Sequence, residues 1–141
     1  MRLLIDDLTS TFLKSFRPEH KRSEVENYQN YYLGPVVFSE RDGLKSIIDG
    51  QQRITSITLF LIFLNHLQRD FAEKVSISDL IYSEKYGEKS FNMIDENRRA
   101  CLTALFETGE YSLQKEDDET VQNIVARYED IDQVFPEEMK K

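Results

Sequence analysis

The stretch Ile47-Ile48-Asp49-Gly50-Gln51-Gln52-Arg53-Ile54-Thr55 decides the expected fold, because five polar or glycine residues in it separate two apolar segments. The segment before them, Leu44 to Ile48, is a short apolar run typical of a strand. The segment after them continues to about Phe71 and is apolar on nearly all sides, which is typical of a buried central helix. The sequence therefore predicts a strand, a turn and a helix with Asp49 to Arg53 at the junction.

A junction of this kind aims the first free N–H groups of the helix, and the positive end of its dipole, at one point. Gly50 allows a close backbone approach, and Arg53 can supply a forked donor to phosphate oxygens. Asp49 would repel an anion unless it holds a divalent cation that bridges to phosphates or orients an attacking water. Gln51 and Gln52 are suited to orienting water, ribose or base. An ordinary Asp-Gly turn with Arg53 on the helix surface fits the same spacing, so both interpretations stay open here.

Upstream of the junction, the pattern predicts a helix and a hairpin. Arg2 to Phe16 has apolar residues at helical spacing, and Pro18 ends that helix. Tyr31 to Phe38 is β-branched and aromatic and predicts a strand, in which Pro35 belongs near an edge or at the start because it lacks an N–H. The Asp-Gly step in Arg41-Asp42-Gly43 separates this strand from the next and predicts a hairpin.

A weaker hairpin is expected downstream. Leu80 to Tyr82 and Ser90 to Ile94 flank a turn at Tyr86-Gly87. The sequence therefore predicts a fold of the α/β class, of the α+β type, with a small sheet and a buried central helix. We expect residues 1–75 to form the core and residues 76–141 to add a hairpin and helical extension to the same domain.

Two amphipathic helices are predicted in that extension. The first runs from Glu96 to Glu107, with Asp95 as its N-cap and Gly109 after its end. The acidic run Glu116 to Glu119 is expected to be a solvated linker or the first turn of the second helix. That helix runs from Val121 to Phe135.

Composition excludes several classes of protein. The chain has 141 residues, 40% of them apolar, which suits one domain with its own core. A net charge of −8 disfavours wholesale coating of nucleic acid. With one cysteine, Cys101, and two histidines, neither a disulfide nor a zinc cage is expected, and the thiol should pack as a small apolar group in the reducing cytoplasm. No signal peptide opens the chain, and Ile54 to Leu67 is too short and too interrupted to span a membrane.

Two groups of basic residues leave a function open. One cluster is either a solvated helix end and loop or a contact for nucleic-acid phosphates, and it consists of Lys14, Arg17, His20, Lys21 and Arg22. Arg98 and its neighbour Arg99 lie near the unfavourable, positive end of the predicted helix, which indicates a nearby carboxylate or phosphate.

The stretch from Ile47 to Ile57 resembles the signature of the GmrSD restriction-endonuclease N-terminal domain family, whose core motif is Asp-Gly-Gln-Gln-Arg. Tyr31-Tyr32-Leu33-Gly34-Pro35-Val36-Val37 matches the strand that the family places before this motif. Phe91 to Arg98 and Asn123 to Tyr128 resemble its later segments more loosely.

The resemblance implies a ParB/sulfiredoxin-like nucleotide-binding fold with a small mixed sheet and a helical extension. It also implies a domain that binds and hydrolyses a nucleoside triphosphate in prokaryotic defence systems against modified foreign DNA, while a separate nuclease domain or subunit cuts the DNA. By analogy Asp49 holds Mg²⁺, the backbone of Gly50 to Gln52 holds the phosphates, and Arg53 neutralises developing charge.

The chain departs from the family in two respects. It lacks the tryptophan-containing segment with which members usually begin, and it stops before their later helical region and any nuclease domain, so we expect a chain truncated at both ends. With only His20 and His66, a nuclease centre of the His-Asn-His type is not expected, and neither is cleavage of DNA by this chain alone. The alternatives to a nucleotide hydrolase are a non-catalytic DNA- or protein-interaction module and an inactive fragment of the same fold.

Overall fold

The fold consists of helices and two hairpins. The structure, a computed structural model, describes residues 2–35, 37–49, 51–91 and 96–140, without the side chains of residues 2, 37, 38, 44–49, 51, 85, 88, 96 and 97. The helices are α1 Arg2–Ser15, α2 Gln51–Leu67, α3 Ser78–Ile81, α4 Glu96–Thr108 and α5 Glu119–Val134. The strands are β1 Val37–Arg41, β2 Leu44–Asp49, β3 Tyr82–Lys85 and β4 Glu88–Phe91. Short 3₁₀ turns occupy Arg22–Asn27, Gln68–Asp70 and Glu137–Met139.

The first hairpin confirms the prediction from the Asp-Gly step. Strands β1 and β2 pair antiparallel, with Arg41 opposite Leu44. Asp42 and Gly43 between them have positive φ angles of 52° and 78°. Two successive residues in this region form the turn whose twist matches that of the flanking strands. Strand β2 thus leads directly towards α2.

The strand predicted over Tyr31 to Phe38 is wrong in its first part. Residues 31–35 have no regular structure, Val36 lies outside the described residues, and the strand begins at Val37. Two physical reasons account for the difference. Pro35 has no N–H for a ladder, and Gly34 has φ +95°, which no strand residue adopts.

Helix α2 is the central helix that the apolar run predicted. Leu59 and Ile62 are fully buried, and α2 packs against α3, α4 and α5. The 3₁₀ turn Gln68–Asp70 continues it as far as Phe71, where the sequence placed its end. The polar Ser56 and Thr58 are also buried, on the same helix.

The second hairpin has the predicted turn, but its strands lie closer to that turn than predicted. Strands β3 and β4 pair antiparallel across Tyr86-Gly87, with Tyr82 opposite Phe91. Leu80 and Ile81 belong to the short helix α3 and not to a strand. The predicted strand end at Asn92 to Ile94 lies outside the described residues, as does the predicted N-cap Asp95.

The last two helices confirm their predicted positions and show how they begin and end. Gly109 follows α4 with φ +79°, a conformation that ends helices, and its N–H donates to the Leu105 carbonyl. Asp118 in the acidic run is the N-cap of α5, because its carboxylate accepts from the Val121 N–H at 3.0 Å. On α4, Ala100 is exposed and its neighbour Cys101 is buried.

One apolar cluster unites the chain. It draws on α1, α2, α3, β4, α4 and α5, and at its centre the Phe63 ring lies edge-on to both Tyr128 and Phe135. The α+β class is confirmed. The described strands form two separate two-stranded antiparallel sheets, whereas the resemblance implied a single mixed sheet. In the described part of the chain, no helix is long and apolar enough to cross a membrane.

Candidate functional site

The strand-to-helix junction is tied to the segment before β1 by one arginine. Arg53 lies in the first turn of α2 and donates from Nη1 to the carbonyl oxygen of Leu33 at 2.7 Å. Its Nη2 donates to the carbonyl oxygen of Pro35 at 2.5 Å. The planar guanidinium is suited to this arrangement, because its two outer nitrogens diverge as a rigid fork. A loop without strand hydrogen bonds thus has its carbonyls satisfied by a side chain.

Gly34 makes this contact sterically feasible. It lies between the two accepting carbonyls, and a Cβ atom there would be 2.1 Å from Arg53 Nη1, far inside van der Waals contact. Its φ of +95° is also strained for any residue with a side chain. The left-handed φ thus favours glycine at this position, and any side chain here would displace the Arg53 guanidinium from its two carbonyls.

A second contact holds the same loop from the other side. The hydroxyl of Tyr31 donates to the Asp7 carboxylate of α1 at 3.1 Å. This hydrogen bond to an anion, together with partial burial and the negative charge, raises the pKa of Tyr31. The loop from Tyr31 to Pro35 is therefore fastened to α1 at its start and to α2 at its end.

Of the five predicted site residues, the four that the structure describes lie at the end of β2 and the start of α2. Asp49 is the last residue of β2 and Gln51 the first of α2, so the connection is one residue long. Gly50 lies outside the described residues, as do the side chains of Asp49 and Gln51. Gln52 is exposed and Arg53 is half-buried.

Gln52 opens onto a polar pocket of about 240 Å³. The pocket lies where α2 meets α4 and α5, and α5 closes its inner side with Ile124. Its polar lining consists of Gln52 and Thr55 from α2, Arg98 from α4, and Thr120, Asn123 and Arg127 from α5. We refer to it as the arginine pocket. The motif and the last two helices therefore share one cleft.

The local sequence explains how these side chains meet. Gln52 and Thr55 are three residues apart and so lie on one face of α2. Thr120, Asn123 and Arg127 follow at intervals of three and four residues, which places them on one face of α5, while Val121, Val125 and Tyr128 of that helix are buried.

Comparison with known families decides the affiliation of the chain. The family model described as the GmrSD restriction endonuclease, N-terminal domain, matches residues 1–141, the whole chain. The chain belongs to this family. No curated protein and no solved structure matches it significantly.

In this GmrSD N-terminal domain, sequence reasoning found part of the arginine pocket and missed the rest. It singled out Gln52 from the motif and Arg98 from its place at a helix start. It did not single out Thr55, Thr120, Asn123 or Arg127. The signal that could have found the α5 residues is their polar spacing on the face that adjoins the apolar stripe.

The described residues offer a limited set of groups for a metal. No three of the described His, Cys, Asp or Glu side chains come together as a metal site. Magnesium in phosphate-binding enzymes commonly takes only one or two carboxylates and completes its shell with water and substrate oxygens. One carboxylate, such as that of Asp49 in the motif, is therefore a sufficient protein ligand for a magnesium ion that binds together with a nucleotide.

Two further residues that could carry chemistry have structural roles. Cys101 is 1% exposed, and burial, together with the charge of Asp117, raises the pKa of its thiol to about 11. A thiol of this kind is protonated and unreactive at neutral pH. The Nδ1 atom of His20 lies 2.9 Å from the hydroxyl oxygen of Tyr28, in the segment that follows α1.

Proposed function

We propose that this GmrSD N-terminal domain binds and hydrolyses a nucleoside triphosphate at the Asp49–Arg53 junction. The proposal extends to its role in a restriction system, where the nucleotide cycle regulates DNA cleavage by a separate nuclease domain or subunit. Family membership supports the restriction context, and the chemistry of the junction supports the nucleotide.

The observation that carries the proposal is the pair of hydrogen bonds from Arg53 to Leu33 and Pro35. They join the two segments that bear the family signature, at the end of α2 where N–H groups lack helical partners. These bonds fix the loop against the first turn of α2. The N–H groups at the start of this helix that lack helical partners are then the preorganised donors, which can stabilise developing phosphate charge without having to move during the reaction.

Each motif residue has a proposed part in the chemistry. The N–H groups of Gly50 and Gln51 receive phosphate oxygens, and Gln52 orients the attacking water or the sugar. Arg53 positions the loop, and its charge stays beside the first turn of α2, where phosphate charge develops. Asp49 would hold Mg²⁺, which supplies charge neutralisation to the phosphates when bound.

The test is phosphate release from ATP, GTP, CTP and UTP with Mg²⁺ by the wild-type chain and by Asp49→Ala and Arg53→Ala. The matched controls are Asp70→Ala and Arg69→Ala, because both residues are exposed and lie beyond the far end of α2. The proposal predicts hydrolysis of at least one nucleotide, reduced about 100-fold or more in the two motif variants and unchanged in the controls. No hydrolysis by the wild type, or equal rates in all five proteins, contradicts it.

A second candidate function, in another class, is DNA contact without nucleotide. Lys14, Arg17, Lys21 and Arg22 are all exposed around the end of α1. Three glutamates, Glu19, Glu24 and Glu26, share this stretch, and they reduce its attraction for phosphates.

This candidate predicts duplex binding at low salt that needs no nucleotide and weakens steeply as salt rises. Fluorescence anisotropy of labelled duplex, with Lys14→Gln and Lys21→Gln combined in one variant, measures it. Unchanged anisotropy at low salt excludes this function, as does equal binding by the variant.

A further inference from the structure

The arginine pocket contains a concentration of positive charge that is unusual for this chain. Overall the protein carries 26 acidic and 18 basic residues. Within the part of the chain that the structure describes, the pocket is lined by two arginines and by no carboxylate. The two arginines come from different helices, Arg98 from α4 and Arg127 from α5, and both line the same cleft.

Arg127 is the decisive side chain. Among the described residues it has no hydrogen bond or ion pair, although it is half-buried and has five N–H donors. Even Asp130, three residues on along the same helix, does not come within ion-pair distance. Arg98 differs, because it already takes part in an interaction within the chain. Arg127 therefore lines the cleft with no acceptor for its donors among the described residues.

Apart from the apolar Ile124, the remaining lining side chains are neutral and polar. Gln52 and Asn123 contribute amides, and Thr55 and Thr120 contribute hydroxyls. The Gln52 and Asn123 amides can donate to an acceptor-rich anion such as a phosphate group. Guanidinium is the side chain that best matches phosphate oxygens, because it bonds to two of them in parallel.

The size of the pocket limits what it can enclose. Its volume of about 240 Å³ is below the range of roughly 300–1,000 Å³ that pockets for whole drug-sized ligands occupy. A triphosphate chain is much narrower than a complete nucleotide. The base and sugar of a nucleotide would then lie outside the pocket.

We propose that the arginine pocket is a polyphosphate subsite, in which Arg98 and Arg127 hold phosphate groups with help from the lining amides and hydroxyls. This subsite depends on the proposed function in one respect only: the phosphates would come from a nucleoside triphosphate bound at the neighbouring junction. Thr120, Asn123 and Arg127 of α5 thus enter the binding site, although they lie 67 to 74 residues beyond Arg53 in sequence.

The test is calorimetric titration of inorganic tripolyphosphate, without metal, into the full 141-residue chain. The variants are Arg127→Gln, which removes the charge, and Asn123→Asp, which places a carboxylate in the same pocket at an exposed position. Asn123→Ala and Arg69→Gln are the matched controls, since the first keeps the pocket neutral at that position and the second removes a charge elsewhere. Circular dichroism melts establish that each variant is folded.

The proposal predicts that tripolyphosphate binds the wild type and Arg69→Gln alike. Arg127→Gln should weaken binding about 10-fold or more, the effect of one charge-assisted hydrogen bond, and Asn123→Asp should weaken it more than Asn123→Ala does. No binding to the wild type overturns the proposal, as do equal affinities in every folded variant.

A parallel titration with ATP, GTP, CTP and UTP separates this proposal from the proposed function. If tripolyphosphate binding depends on Arg127 but no nucleotide is bound or hydrolysed, the subsite stands and the nucleotide function fails. If nucleotide hydrolysis depends on Asp49 and Arg53 while Arg127→Gln changes neither affinity nor rate, the function stands and the subsite is overturned.

Discussion

Arg53 and Leu33 are joined by a hydrogen bond of 2.7 Å from the guanidinium Nη1 to the backbone carbonyl oxygen, across 20 positions of sequence. This bond and its companion to Pro35 fix the segment before β1 against the first turn of α2. Arg53, the arginine of the family motif, thus holds the architecture of the candidate site and also adds positive charge to it.

Replacing Arg53 by lysine should destabilise the domain although the charge is kept. A single ammonium on a flexible stem cannot reach both carbonyls in the fixed geometry of the fork. We expect the free energy of unfolding in urea to fall by about 1 kcal/mol, because the contact is solvent-exposed. Arg69→Lys at an exposed position should change it by less than about 0.5 kcal/mol. Equal stabilities of the two variants would show that the fork does not hold the loop.

Gly34→Ala should cost more stability than Gly87→Ala. Both glycines have positive φ angles, +95° and +79°, but a Cβ at Gly87 meets nothing within 4 Å, whereas one at Gly34 collides with Arg53. We expect a loss of about 1 kcal/mol for Gly87→Ala, from backbone strain alone, and about 2–3 kcal/mol for Gly34→Ala.

A double-mutant cycle then isolates the steric part of the Gly34 effect. Once Arg53 is alanine, Gly34→Ala should cost about as much as Gly87→Ala, because the colliding guanidinium is gone. Additive losses from the two substitutions would contradict the close approach of Arg53 to Gly34.

Cys101 should lower the stability of the domain at alkaline pH. The pKa of its thiol rises from 9.0 to about 11 on folding, so the unfolded chain releases this proton first. The stabilising contribution is therefore complete below pH 9 and is lost as pH rises towards 11, by roughly 1 kcal/mol at pH 10. Unfolding in urea at pH 8 and pH 10 measures the loss. In Cys101→Ala the loss of stability between pH 8 and pH 10 should be smaller by about 1 kcal/mol. An unchanged loss would show that the Cys101 thiol does not titrate differently in the folded and unfolded chains.

Asp118→Ala should destabilise α5 by about 1 kcal/mol through loss of its N-cap. The Asp118 carboxylate accepts from the Val121 N–H at 3.0 Å, and no other group of the described chain replaces it there. Glu116→Ala is the control, because it removes a charge from the same acidic run at an exposed residue. Chemical denaturation should distinguish the two variants; if both lose the same stability, charge and not capping is responsible.

The sequence was sufficient for the features that local chemistry dictates. The Asp42-Gly43 turn, the central helix α2 and the end of α4 at Gly109 follow from glycine, from the left-handed region of φ and from apolar periodicity, all of which are local. Asp49 and Arg53 of the motif were likewise predicted at a strand end and a helix start, because a short polar segment between two apolar elements is typical of the turn that connects them.

The contacts between distant segments could not be predicted in this way. Tyr31 to Pro35 has strand composition, but Arg53, 18 to 20 residues later, takes its carbonyls instead. Arg127 enters the arginine pocket only because α5 packs against α2. Composition and spacing carry no information on such long-range packing.

The measurement that tests the account most directly is the affinity of the chain for nucleoside triphosphates. This affinity is measured by calorimetric titration of ATP, GTP, CTP and UTP with Mg²⁺. The proteins titrated are the wild type, Asp49→Ala and, as control, Asp70→Ala. We predict that at least one nucleotide binds the wild type and Asp70→Ala equally and binds Asp49→Ala about 10-fold or more weakly. If none of the four binds, or if Asp49→Ala binds as tightly as the wild type, the junction is not a nucleotide site.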